Sequence, residues 1–164
     1  MSQALIHAAG PSSPAGQDVA ESAAALLGGE KTLKRPIHSA LDAHEMLRAG
    51  VPSRAASYLV GQVPAVHERR LYEVALGMSE RTFQRMKTQT SGRLNAEQSS
   101  RAWIFARILA RATDVFGSRD EAIQWLDRPA MGLDQRRPLD LITTPAGVEL
   151  VETFLRRIDS GVYA

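Results

Sequence analysis

A chain of 164 residues with 44% apolar content holds enough material for one packed core with a tail, and its lack of cysteine excludes disulfides, thiolate metal sites and cysteine nucleophiles. No stretch reaches the roughly 20 apolar residues that cross a bilayer, and no basic start precedes an apolar run, so the sequence reads as soluble and cytoplasmic with no membrane partner. The net charge of +2 hides a change of sign: residues 68–111 carry nine Lys or Arg against four acids, and residues 112–164 carry nine acids against six arginines. A basic middle and an acidic end suggest two different partners.

Residues 1–35 are rich in Ala, Gly, Ser and Pro and read as a flexible tail. Within it, residues 20–27 could form a short helix that Gly28 and Gly29 stop. From Pro36 the pattern is helix after helix, with no alternating β-branched run, and the expected fold is an all-α helical bundle. A helix over 39–49 is expected to turn Leu41 and Leu47 inward and to close on Gly50. The next begins at Ser53, with Ala56, Tyr58 and Leu59, and a third covers 66–76 with Leu71 and Val74 as buried candidates. Gly77 then supplies a tight turn, and Ser79 caps a helix over 80–88 whose Phe83 and Met86 face the core.

Asn95 followed by Gln98 has the reciprocal capping spacing and opens a long helix to Phe116. Its apolar face is Ile104, Ile108 and Val115, widened by Phe105, Leu109, Ala112 and Phe116. Ser118 and Glu121 repeat the capping spacing before a short helix ending in Trp125 and Leu126, a pair that fits either the core or a partner contact. An irregular stretch over 127–137 and a helical turn over 138–142 follow. Thr144 as N-cap with Pro145 at the first position starts the last helix. Val148, Val151, Leu155 and Ile158 make its inner stripe, flanked by Leu150 and Phe154, and Gly161 ends it.

The stretch 74–87 has helix-turn-helix spacing: a small helix face, a turn glycine, a capping serine and a second helix with its apolar residues on one side. That second helix exposes candidate DNA-binding residues Ser79, Arg81, Thr82, Gln84, Arg85 and Lys87. Arg and Gln make paired hydrogen bonds to guanine and adenine edges, and Ser, Thr and Lys hold phosphates. The competing reading is a helical hairpin with a solvated basic face. No catalytic constellation can be assembled. His7, His38, His44 and His67 are scattered, and no metal, phosphate or dinucleotide motif is present, so the chain is expected to be no enzyme and to need no cofactor.

The C-terminal third resembles the Xre/MbcA/ParS group of antitoxins that neutralise RES-domain toxins. The resemblance is carried by Val115 to Gly117, by Glu121, Ala122, Trp125 and Leu126, by the 129–133 loop, and by Arg137, Pro138, Leu139, Asp140 and Leu141. It continues through 143–147 and 157–163, and the helix-turn-helix upstream matches the Xre-like half of such proteins. One departure lies in the loop, where Pro129-Ala130 and Leu133-Asp134-Gln135 stand in place of the common Pro-Asn step and glycine-rich turn. The resemblance reaches from about Pro36 to the end, leaving the tail over 1–35 outside it, and implies a DNA-binding domain over 36–111 and a toxin-binding domain over 112–164. It also implies a cognate toxin that consumes NAD or transfers ADP-ribose, and autoregulation through operator DNA.

Under that resemblance the toxin-binding tip is Arg157, Asp159, Gly161, Val162, Tyr163 and Ala164. A short aromatic-bearing tail on a rigid helix reaches into a cleft at little entropic cost. A frayed end without a role is the alternative, and Arg156 and Arg157 also suit the helix dipole alone. A homodimer, or a larger toxin–antitoxin assembly, is the expected oligomer. The competing function is a stand-alone helix-turn-helix regulator with a C-terminal dimerisation domain.

Overall fold

A computed structural model describes the backbone of residues 14–89 and 91–162, with side chains described there except at 14–17 and 65–69. Among the described residues there are ten α-helices, one 3-10 turn and no β-strand. In chain order they are α1 (Pro14–Leu26), α2 (Gly29–Leu33), α3 (Ala40–Ala49), α4 (Ser53–Val60), α5 (Ala65–Ala75), α6 (Glu80–Lys87), α7 (Ala96–Phe116) and α8 (Arg119–Leu126). The 3-10 turn Met131–Leu133, α9 (Pro138–Leu141) and α10 (Pro145–Asp159) complete the bundle.

The long helix α7 is the axis of the molecule, with α1, α3, α4, α5, α8 and α10 all packed on it. Its buried residues include Ala102, Ala106, Ala110 and Ala112, small enough to let neighbouring helices approach closely, between the larger Phe105, Ile108 and Leu109. One continuous core runs from α1 to α10. The joint expected at 111/112 falls inside α7, and Ile108 and Ala112 on its two sides are buried in that same core.

Helix starts follow their local chemistry. Ser39, Ser79, Asn95, Ser118 and Thr144 each accept a hydrogen bond from the backbone N–H three residues on. At Asn95 the bond is reciprocated, with Gln98 N–H donating to Asn95 at 2.8 Å and Asn95 N–H donating to Gln98 Oε1 at 3.1 Å. At Ser118 the structure records only the forward bond, from Glu121 N–H at 3.2 Å, so the second expected capping box is a single cap.

Residues 1–35 are not a tail throughout. Residues 14–33 are largely helical, and Ala20, Ala23, Ala24, Leu27 and Leu33 are buried against the bundle, while residues 1–13 lie outside the described region. The stripe at 20, 23, 24 and 27 has helical spacing, but it is mostly alanine. It adds little hydrophobic signal in sequence and still packs closely, because alanine loses no side-chain entropy on burial.

Two expected inward residues point outward. Leu41 is 66% exposed, and Ala43 and Met46 fill the inner face of α3; Leu41 lies about 200° around the helix from Ala43. Leu150 is 56% exposed, rotated about 100° from the fully buried Val151. Leu47, Val74 and Met86 pack on the core in part, and Leu71, Phe83, Leu155 and Phe154 are buried as their spacing suggests.

Candidate functional site

The segment expected to be a helix-turn-helix consists of α5, the turn 76–79 and α6. Gly77 adopts φ +62°, Met78 N–H closes the turn on Tyr72 O at 3.1 Å, and the Phe83 ring packs tilted on Tyr72 with centroids 4.8 Å apart. Burying Phe83 and half-burying Met86 turns the other side of α6 to solvent. Arg81, Gln84, Arg85 and Lys87 are exposed there together.

The two hydroxyl residues have a different setting. Ser79 Oγ accepts from Thr82 N–H at 3.2 Å and lies 3.0 Å from Thr82 Oγ1, so both side chains are engaged in capping the helix. Ser79 is exposed and Thr82 half-buried.

Sequence order gives no hint of a further cation near this turn. A Cβ on Gly77 would stand 3.0 Å from Arg101 Cδ, so the Arg101 side chain of α7 lies across the turn, while its guanidinium pairs with Glu97 at 3.1 Å. The segment after α6 is clasped to the start of α4. Ser53 N–H donates to Gly92 O at 2.8 Å, Leu94 N–H donates to Val51 O at 2.9 Å, and the buried Ser99 hydroxyl oxygen accepts from Val51 N–H at 2.9 Å. Those bonds fix the far end of α6 against the core.

At the other end of the molecule, α9 and α10 meet through Gly147. A Cβ there would fall on the Leu141 carbonyl oxygen and 2.6 Å from its carbon, so only glycine permits this approach. Trp125 is half-buried between two rings, stacked on Phe154 at 6.1 Å and tilted on Phe116 at 5.2 Å. The aromatic ladder joins α7, α8 and α10.

The preceding loop turns back on itself. Ala130 N–H donates to Arg136 O and Gln135 N–H to Ala130 O, each at 3.0 Å. Asp134 and Gln135 adopt φ of 53° and 59°, so left-handed backbone is held without glycine at the position where the resemblance suggests a glycine-rich turn. Arg137 and Arg70 both approach Asp127, at 3.6 and 4.0 Å, and Arg70 also pairs with Asp140, tying α5 to this loop and to α9.

The expected tip residues do not share one face. Arg157 is exposed, but Asp159 lies on the far side of α10 and stands 3.8 Å from Arg111 of α7. Gly161 has φ +66°, Val162 N–H donates to Arg157 O at 3.1 Å, and Val162 is 69% exposed. Tyr163 and Ala164 lie outside the described residues. Leu150 occupies the same face of α10 as Arg157, and the adjoining 3-10 turn presents Met131 at 83% exposure, two apolar groups that the sequence did not single out as surface. Among the described residues no three His, Cys, Asp or Glu stand together as metal ligands, and no helix is long and apolar enough to cross a membrane.

Residues 111–161 match the family model described as the antitoxin Xre/MbcA/ParS C-terminal toxin-binding domain. The chain is similar to a protein named Antitoxin Xre from Yersinia enterocolitica, 34% identical over 91 residues, which is 55% of this chain and 61% of that protein. A protein of the same name from Photorhabdus laumondii is 32% identical over 87 residues, covering 52% of this chain and 58% of its own length. One from Pseudomonas putida is 34% identical over 68 residues, covering 42% of this chain and 43% of its own. The chain thus spans less than two thirds of each of these curated relatives. The matched segment begins in the last turns of α7 and contains the aromatic ladder, the reversed loop and α10, and over that segment the chain is similar to the Xre/MbcA/ParS C-terminal toxin-binding domain.

Proposed function

We propose that this protein is the antitoxin of a toxin–antitoxin pair, that its partner is a RES-domain toxin which consumes NAD or transfers ADP-ribose, and that it represses its own operon in the cytoplasm by binding operator DNA. The observation that carries the reading is the match of residues 111–161 to a domain described as toxin-binding. Consistent with it, α10 is rigidly built, with a capped start, the glycine contact to α9 and the Trp125–Phe154 stack, and it leaves Leu150, Arg157 and Val162 uncovered. A preordered helix with exposed apolar groups and an arginine loses little entropy on docking, which favours a tight complex. Asp159 serves in this reading to hold α10 on Arg111, and the contact is made by Arg157, Gly161, Val162, Tyr163 and Ala164 with Leu150 and Met131.

The DNA half of the proposal rests on α6. Arg81, Gln84 and Arg85 project from the exposed side, where Arg and Gln read base edges, and Lys87 with Arg101 at the turn supplies phosphate contacts. A two-fold dimer would place two copies of α6 in successive major grooves.

Co-expression tests the central claim. Cells expressing the RES-type reading frame next to this gene are expected to stop growing and to recover when this chain is supplied, whereas a chain ending before Asp159 should rescue poorly. Failure of the full chain to restore growth or to co-purify with that toxin would overturn the proposal.

A further inference from the structure

Four helices leave a groove that neither α6 nor the Arg157 side of α10 uses. It has a volume of about 670 Å3 between α1, α3, α7 and α10, within the range of small-molecule sites. Its floor is one face of α7, where Ser100, Trp103, Ile104, Arg107 and Arg111 recur at helical spacing over roughly 16 Å at 1.5 Å per residue.

The groove is graded from apolar to basic. The bond from Val51 N–H to Ser99 brings the C-terminal end of α3, with Leu47, to the Trp103 and Ile104 end of the floor. At the other end the pairs Arg107–Glu152 and Arg111–Asp159 bring α10 alongside, and with it Arg156. Three guanidiniums there face two carboxylates, Glu152 and Asp159. Arg111 is 3.8 Å from Asp159, and Arg156 donates to Thr153 Oγ1 at 2.9 Å. A guanidinium carries five N–H donors, so this cluster has capacity for a further anion.

We propose that the groove binds an amphiphilic organic anion, with its apolar body on Leu47, Trp103 and Ile104 and its carboxylate, sulfonate or phosphate head on Arg107, Arg111 and Arg156. An amphipathic helix from a partner would require an apolar stripe along the whole floor. Here the change from apolar to cationic within three helical turns matches one short molecule with a head and a tail. Its head would contact α10 through Arg156, so the occupied groove would brace that helix against α1 and α3.

The test uses the full chain and the probe 1-anilinonaphthalene-8-sulfonate, with energy transfer from tryptophan as the readout. Of the two tryptophans, Trp103 lines the groove and Trp125 lies in the aromatic ladder. Saturable transfer is expected to survive Trp125→Phe and to fall sharply in Trp103→Phe. Arg156→Glu, at an exposed position, should weaken the probe about tenfold by replacing a charged donor with a like charge. Displacement by dodecanoate identifies an acyl ligand, and displacement by 1-naphthoate an aromatic one. Ala40→Leu at the exposed rim should weaken the probe without changing sedimentation. Binding weaker than about 1 mM, transfer that follows Trp125, or an affinity indifferent to Arg156→Glu would overturn the proposal. A change of oligomeric state in Ala40→Leu would overturn it too, by assigning the groove to a second copy of the chain.

Discussion

Replacing Gly147 by alanine sets helix propensity against packing, and the two effects have opposite signs. Alanine is favoured over glycine by about 0.8–1 kcal/mol within a helix, so a freely exposed site on α10 would gain stability. At Gly147 the new Cβ would lie 2.6 Å from the Leu141 carbonyl carbon and on top of its oxygen, whereas carbon contacts are comfortable near 3.5–4.0 Å. α9 must therefore move by about 1 Å, and it is anchored by the buried Pro138 and Leu139. Overpacking of that kind costs about 1–3 kcal/mol or more, and disturbing the Gly147 N–H bond to Thr144 Oγ1 adds about 1 kcal/mol. The net loss is then about 2 kcal/mol, equivalent to a melting temperature lower by about 4–8 °C in a chain of this size. Thermal unfolding followed by circular dichroism reads this directly, and co-purification with the proposed toxin partner should fall in parallel. An unchanged or higher melting temperature would refute the claim that α9 and α10 are locked together by backbone contact.

Ser99→Ala removes the acceptor for Val51 N–H in a fully buried position and should cost about 1–3 kcal/mol in denaturant titration, because the orphaned donor stays out of water. Arg81→Ala with Arg85→Ala should abolish an operator gel shift, at about 1–3 kcal/mol per arginine, while the helical signal is kept. The Asp42 carboxyl is held below its ordinary value of 3.8 by the His38 backbone N–H and then by the Ser39 hydroxyl. A depressed carboxylate stabilises the fold above its unfolded value and loses that effect as pH falls through its folded value, so Asp42→Asn should lower the melting temperature at pH 7, with the gap closing in acid below 3.8.

Features governed by neighbours in the chain could be read before any coordinates. Ser39, Ser79, Asn95 and Thr144 each cap a helix through a bond three residues away, and Pro145 and Gly161 bracket α10, so these boundaries depend on nothing remote. The basic face of α6 followed equally from Phe83 and Met86 occupying the other side. Helix rotation was less legible: α3 and α10 carry more apolar residues than their buried faces accept, and composition alone does not say that Leu41 and Leu150 are the surplus. Long-range approaches left no local trace. Nothing near Gly77 announces Arg101, nothing near Gly147 announces the Leu141 carbonyl, and the alanine stripe of α1 gains meaning only beside α7. The same applies to the graded groove, whose walls come from four separate stretches of chain.

Because α7 passes unbroken beneath both α6 and α10, the end proposed to read DNA and the end proposed to meet a partner are not beads on a string. A cut after Arg111 would sever a rod near its C-terminal end and strip apolar cover from both fragments. α7 thus joins α10 to the turn before α6, where Arg101 lies against Gly77. Grafting either end into another protein would require carrying that shared rod along with it.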